Sequence, residues 1–397
     1  MTLDLGLLCE ILGEPAAPYR ERHVIAKLEE ILKRHAVPHF VDPVGNVVVG
    51  AGSKAEYLKL IRKQSPEPVR VAIAHMDHPG FHGVSWLDDD RFEFRWFGGS
   101  ATKELEGRKV WLADRAGWLG HGVMESAELA PHGRAIARGV IRVTEKTRAA
   151  PKVESVFGSF GFRAPCWQEG DLMYAKAADD LVGVYAIVHA AIENHGKPPK
   201  GKKKKKSPAP FLGLLTRAEE VGFIGTLGHL ELGWWKQARR ELVCLSLETS
   251  RALPQAEIGK GPIVRLGDRM NVFHASYTRL FTDLAAKTLP DGYQRRVMDG
   301  GACEGSAAIS YGIPTIAISV PLGNYHNQSL EGGPDAGPLH SSAPEYVNLG
   351  DVQGMLGLIE ALLQPNLPWK KPFEAQVKNF RTSYRKARKL LVDGLKI

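Results

Sequence analysis

The chain has 397 residues, 44% of them hydrophobic and 24% charged, with a formal net charge of +8. That length supports one large core plus a second, smaller domain, and the composition is that of an ordinary globular protein. No uninterrupted apolar run reaches the ~18 residues a membrane span needs, so a membrane protein is not expected.

The first segment, MTLDLGLLCEILGE, carries acids and lacks a basic leader, so by pattern it is not a secretory signal. Apolar residues at helical spacing predict a helix over Leu3 to Leu12 and another over Glu21 to His35. VDPVGNVVVG (Val41 to Gly50) reads as a turn and then a strand. PVRVAIAHMDHPG (Pro68 to Gly80) reads as a buried strand ending in a polar cluster, which is where open α/β sheets place their sites. From about Val84 to Gly170 short strand-like runs alternate with Gly, Asp and Pro, as in a β-rich inserted domain. Asp179 to Gly196 then reads as a helix that begins at acids and stops at Gly. FLGLL, LVCLSLE, PIVRL and PTIAISVP are further buried strands, and VQGMLGLIEALL (Val352 to Leu363) is an amphipathic helix. A basic segment from Lys370 onward is expected to be helical. No internal repeat interrupts this order. The expected organisation is an α/β fold, a mixed central sheet flanked by helices, over 1–83 and 171–369. The β-rich insertion would occupy 84–170 and the basic helical extension 370–397.

Two bulk features narrow the partners. Cys9, Cys166, Cys244 and Cys303 are scattered with no CxxC pair, which argues against a disulfide framework or a thiolate zinc site and suits a reducing cytoplasm. The basic excess is concentrated in Lys202 to Lys206 and in the C-terminal segment. Flanked by Gly and Pro, the lysine run reads as a solvated loop, and without aromatic-interleaved basic motifs a nucleic-acid partner is not expected.

The informative stretch is TRAEEVG, residues 216–222, which leaves the buried run FLGLL with two adjacent carboxylates, Glu219 and Glu220. Burying neighbouring like charges is costly unless something positive is there, so they either face water or meet a metal ion. Other strand ends carry the same chemistry. His75 and Asp77 follow VAIA, Asp179 and Asp180 open a helix, Glu248 follows CLSL, and His326 follows TIAISVPLGNY. Each has a bland explanation: a helix cap for Asp179 or Asp180, an Arg251 partner for Glu248, a satisfied loop for His326. Five such sites at buried-strand ends make a shared coincidence a poor explanation. Two His and several carboxylates without a thiolate suit zinc, cobalt or manganese with an open coordination position. Two metals ~3.5–4 Å apart need a shared carboxylate, plus a His and a further carboxylate each. A separate carboxylate must then move the proton of the attacking water.

AHMDHPGF, AKAADDLVG, TRAEEVGFIGT, SLETS and DGGACEGSAAISYGIPTIAISVPLGNYH, in this order, resemble the dinuclear-metal aminopeptidases, and within them the tetrahedral, glutamyl or deblocking branch. The resemblance runs from about residue 5 to 364. It implies that His75, Asp179 and Glu248 hold one divalent metal. It implies that Asp179, Glu220 and His326 hold the other, with Asp179 bridging. Glu219 would be the general base and later the general acid, and Asp77 would orient His75. Asp180 would support the site or shape the turn. The implied reaction is removal of N-terminal residues from short peptides by attack of a metal-bound hydroxide, with zinc the leading metal. The implied partners are the peptide substrate and further copies of the chain in a homo-oligomer.

The sequence departs from the branch at three places. A second candidate for the last ligand, His340, lies in LHSSAPE beyond an insertion, although His326 directly follows the strand. Cys303 and Glu304 stand where the branch usually carries Thr and Asp. The lysine run and the basic extension have no counterpart. The same metal core would also serve a related amidohydrolase, such as an N-acyl amino acid deacylase or a carboxypeptidase-like enzyme. A non-catalytic member of the fold is a weaker alternative, given an intact Glu219 and a full ligand set.

Overall fold

The computed structural model describes residues 1–149, 152–196 and 209–395. The lysine run Lys202 to Lys206 lies outside the described residues. The chain begins with α1 (Leu5–Leu12), α2 (Arg22–Arg34), β1 (His39–Val41), β2 (Val47–Val49), α3 (Lys54–Arg62) and β3 (Val69–His75). Six strands follow: β4 (Gly80–Trp86), β5 (Arg91–Phe97), β6 (Lys109–Asp114), β7 (Gly117–Leu129), β8 (Ile136–Lys146) and β9 (Phe157–Phe160). Next come β10 (Cys166–Glu169), β11 (Leu172–Ala175), α4 (Leu181–His195), β12 (Phe211–Thr216), α5 (Ile224–Glu231), β13 (Leu242–Arg251) and β14 (Ile263–Asp268). The last elements are α6 (Ala275–Thr288), β15 (Gln294–Met298), α7 (Glu304–Ser310), β16 (Thr315–Gly323), β17 (Glu345–Asn348), α8 (Leu349–Leu362) and α9 (Glu374–Asp393).

Eleven strands form one mixed sheet in the order β1-β2-β12-β3-β13-β16-β17-β11-β10, with β14 on β16 and β15 on β14. Its centre, β12-β3-β13-β16, is parallel, with Thr216 beside His75 and Glu248 beside Ser319. A parallel centre must be covered on both faces, and the strands read accordingly as continuous apolar runs. Alternate residues serve the two sides. Phe211 and Leu215 of β12 join the core under α1, α2, α4, α6 and α8, while Leu212 and Leu214 join the core under α3 and α5. The expected α/β sheet flanked by helices is therefore the observed fold.

Strands β4-β5-β8-β7-β6-β9 close a separate barrel filled by Phe81, Phe92, Phe94, Trp96, Leu112 and Phe160. β5 alternates exposed Arg91, Glu93 and Arg95 with buried Phe92, Phe94 and Trp96, the pattern of a sheet wet on one side. The barrel strands run from Gly80 to Phe160, so β4 begins ahead of residue 84, and β10 and β11 pair in the large sheet instead. Among the described residues no helix is long and apolar enough to cross a membrane. α9 is helical as expected, and none of its residues is buried.

Candidate metal centre

The parallel strands end on one edge of the sheet, and the polar residues predicted for their ends meet there. His75 is the last residue of β3, Glu248 lies in β13, and Glu219 and Glu220 follow β12. Asp179 precedes α4, whose N-cap is Asp180, and His326 lies just beyond β16 with a left-handed backbone (φ 53°). A cis peptide joins Asp179 to Asp180. Asp180 accepts from Gly183 N at 3.1 Å, and a Cβ on Gly183 would stand 2.4 Å from the Asp180 carboxylate, so only glycine fits.

Among the described residues three ligand clusters result: His75 with Asp179 and Glu248, Asp179 with Glu220 and His326, and His75 with Glu219 and Glu220. Asp179 belongs to two of them. Its Oδ1 lies 3.5 Å from His75 Nε2, and its Oδ2 lies 3.5 Å from His326 Nε2. Glu220 Oε1 stands 3.2 Å from His326 Nε2, and Glu219 Oε2 stands 3.8 Å from His75 Nε2. His340 is exposed and belongs to none of these clusters.

The donor atoms fit divalent cations. His326 Nδ1 lies 2.6 Å from Gly99 O, and His75 Nδ1 lies 3.1 Å from Asp77 O. A carbonyl only accepts, so each Nδ1–H donates and each Nε2 faces the carboxylates, where loss of its proton would free a lone pair for a cation. Glu220 Oε1 and Glu248 Oε1 are buried without a hydrogen-bond partner, although His326 Nε2 stands near the former. Buried polar atoms normally have partners, and a cation between these groups would supply one. The electrostatics agree. Burial, with Asp179 nearby, pushes the Glu248 carboxyl up to about 8. Burial, with Glu248 and Glu220 nearby, holds Glu219 well above the ordinary range. Burial opposes a charge on His75 and His326, yet the surrounding carboxylates hold both well above their usual pKa. The acids call for positive charge, and a divalent cation displacing those protons would provide it.

The loop that presents the glutamate pair is held by side chains. Arg217 N donates to Asn46 Oδ1, Ala218 N to Glu21 Oε1, Glu219 N to Asp77 Oδ1 and Glu220 N to Asp77 Oδ2, at 2.9–3.2 Å. Ala218 takes φ 52°, which the chain sustains by satisfying every N–H from 217 to 220. Glu21 is fully buried and also takes Arg217 Nε at 2.8 Å. Asp77 thus holds the glutamate loop as well as facing His75, where its Oδ1 is 3.6 Å from Nδ1.

Sequence reasoning passed over several supports. Glu345, wholly buried at the start of β17, accepts from Ala178 N, Asp179 N and His326 N, and so ties both ends of the second cluster together. His78 Nδ1 meets Asp179 O at 3.0 Å. Gly99, in the loop after β5, orients His326. Glu304, one of the departures, is buried and takes the hydroxyls of Thr216 and Thr226. A cleft of about 130 Å³ opens beside Asp179 and Glu248, lined also by Thr249, Arg251, Arg265 and Tyr325.

A family model for M42 glutamyl aminopeptidases matches residues 58–330, more than half of the chain. This chain belongs to the M42 glutamyl aminopeptidase family. It is a metal-dependent aminopeptidase, a hydrolase of peptide bonds. Solved structures share the fold at low identity. An aminopeptidase from the archaeon Desulfurococcus kamchatkensis superposes with a TM-score of 0.69 at 20% identity, over 92% of this chain and 95% of that one. A TET aminopeptidase from a marine-sediment thaumarchaeote gives 0.68 at 20% identity, over 94% and 99%. The Pyrococcus horikoshii TET1 peptidase, which can assemble into a tetrahedron or a large octahedral shell, gives 0.67 at 21% identity, over 91% and 99%.

Proposed function

We propose that this M42 aminopeptidase removes N-terminal residues from short peptides with two divalent cations per chain. His75, Asp179 and Glu248 would hold one cation and Asp179, Glu220 and His326 the other. The observation that carries this reading is the Asp179 carboxylate, with one oxygen toward each histidine Nε2 at 3.5 Å. Bound there, the cations would supply Lewis-acid polarisation of the scissile carbonyl and a lowered pKa for a bound water. The nitrogen and oxygen donor set suits zinc, with cobalt or manganese as alternatives.

The chain's own residues would do the rest. Glu219 is the carboxylate of the pair left off the two cation sites. Its carboxylate, 3.8 Å from His75 Nε2 at the edge of the cluster, is placed to take a proton from water and give it to the departing amine. Asp77 is a positioning residue, fixing the loop N–H groups and facing His75. Arg265, buried in the cleft with its Nε unpartnered, and Arg251 at the rim favour an acidic N-terminal side chain. The chain assembles as a homo-oligomer, a reading supported by the shell-forming structural neighbour. The four cysteines are free, which fits a cytoplasmic enzyme.

The test is a panel of glutamyl-, alanyl- and lysyl-anilides with their N-acetylated forms, with bound metal counted. The expected result is about two metals per chain, as a shared carboxylate requires, and cleavage of free-amine substrates, glutamyl fastest. Cleavage of the N-acetylated forms alone would overturn the substrate reading.

A further inference from the structure

The glutamate loop has a further anchor, which grips its neck rather than its tip. The loop leaves β12 at Thr216 and runs into α5 at Ile224. Its two arms touch where Gly225 N donates to Arg217 O at 2.8 Å, and a Cβ on Gly225 would stand only 2.4 Å from that oxygen. Asn46 bridges the same pair, accepting from Arg217 N and donating to Gly225 O. The next residue on each arm is a threonine, Thr216 and Thr226. Both are wholly buried, and both hydroxyls donate to one atom, Oε1 of Glu304. Ala74 O, at 3.3 Å, is the more distant alternative for Thr216. One carboxylate oxygen therefore closes the loop at its base.

Glu304 is itself fixed. It is wholly buried and is the first residue of α7. Asp268 Oδ2 accepts from Cys303 N at 3.1 Å and from Ser306 Oγ at 2.6 Å, on either side of it. The next residue, Gly305, lies so near the sheet that a Cβ would stand 3.1 Å from the side chains of Ser246 in β13 and Thr315 in β16. What Glu304 holds is close to the metal centre: Thr216 pairs in register with His75, and the loop tip carries Glu219 and Glu220. Among the described residues Glu304 Oε2 has no hydrogen-bond partner, so the grip is made by Oε1 alone.

We propose that Glu304 is a positioning residue for the reaction: through Thr216 and Thr226, the reach of its side chain sets where Glu219 and Glu220 stand relative to His75, Asp179 and Glu248. The proposal rests on the reading of Glu219 as the group that moves the proton and of Glu220 as a ligand, and the test separates it from that reading.

Three conservative variants divide reach from charge. Glu304→Gln keeps the reach and an acceptor oxygen and removes the charge. Glu304→Asp keeps the charge and is one methylene shorter. Thr226→Val keeps the shape and removes one of the two hydroxyls. Each is compared with wild type and Glu219→Gln on a glutamyl-anilide at saturating zinc, and zinc is titrated into each apo-protein. Positioning predicts that kcat falls by up to ~10²-fold in Glu304→Asp and Thr226→Val, as a misplacement of about 1 Å costs, while KM holds. Glu304→Gln should rescue the kcat that Glu304→Asp loses. In Glu304→Asp and Thr226→Val the titration should show one zinc affinity reduced and the other kept, because Glu220 is on the loop and His75, Asp179 and Glu248 are not. A Glu304→Gln that loses as much rate as Glu304→Asp would make the charge the active feature and overturn the proposal. Lower melting temperatures in Glu304→Asp and Thr226→Val, with kcat and both zinc affinities kept, would leave Glu304 a structural residue only and overturn it too. If Glu219→Gln keeps its rate, the reading of Glu219 falls, and the zinc titration decides the positioning by itself: a reduced affinity in Thr226→Val supports it, and an unchanged one overturns it.

Discussion

The glutamate loop at 217–220 and the helix α9 are both short segments with unusual polarity, and they are treated in opposite ways. In the loop, four successive N–H groups end on side-chain oxygens from three distant positions, Asn46, Glu21 and Asp77. In α9 nothing is buried, and its backbone is held by its own helical hydrogen bonds. The contrast shows where this chain requires precision. The role proposed for Glu219, off a metal yet within reach of its water, would tolerate little displacement, and its backbone is fixed from several sides.

The contrast can be broken from the loop side. Asp179→Ala removes the carboxylate shared by the two proposed cation sites, and should abolish binding of both metals. The rate should then fall by more than the ~10⁴-fold that loss of a proton-transfer group alone can cost, which metal analysis and kcat/KM together will check. Asp77→Ala leaves the ligands in place and removes two loop acceptors, so metal affinity or kcat/KM should fall about 10–100-fold, as for other groups that orient ligands. Titration of the apo-protein with zinc reads this directly.

The loop's outer support gives a pH signature. Burial raises the Asp42 carboxyl, but hydrogen bonds from His229 and Asn46 more than reverse this and hold it below its ordinary value. Asn46 in turn accepts from Arg217 N. A depressed pKa means stability that is present above the unfolded value of ~3.9 and is lost as pH falls through the folded one. Asp42→Asn should therefore cost about 1–3 kcal/mol near neutrality, and the deficit should shrink in denaturant melts run below about pH 4. The smallest effect is expected at the other pole of the comparison. Ending the chain after Trp369 should leave kcat/KM on a small anilide unchanged and shift stability by under ~0.5 kcal/mol, as removal of unburied surface does. A large loss of activity per chain would tie α9 to the site after all.

Much of the centre was legible in the sequence because its parts obey a local rule. An apolar run such as FLGLL or VAIA predicts a parallel strand, and the polar residue at its exit predicts the sheet edge. His75, Glu219, Glu220 and His326 follow that rule, whereas Asp179 comes after the antiparallel β11 and Glu248 lies within β13. α4 was legible for the same kind of reason, with Asp180 as its cap and Gly196 at its end. The supports were not. Glu345, Glu21, Asn46 and Gly99 are single residues whose role depends on a contact 19 to 227 positions away, and nothing next to them marks it. β10 and β11 read like the strands before them, since alternation cannot tell which sheet a strand joins, and the pairing of β11 to β17, with β10 on β11, is set by tertiary contact.

The account stands or falls on Glu219 as the carboxylate that moves the proton while its neighbour holds metal. The direct measurement is kcat/KM on a glutamyl-anilide for wild type and Glu219→Gln, with metal counted in both. The account predicts that the variant keeps about two metals per chain and loses roughly 10²–10⁴-fold in rate. A variant that keeps its rate, or one that loses a metal together with its activity, would contradict it.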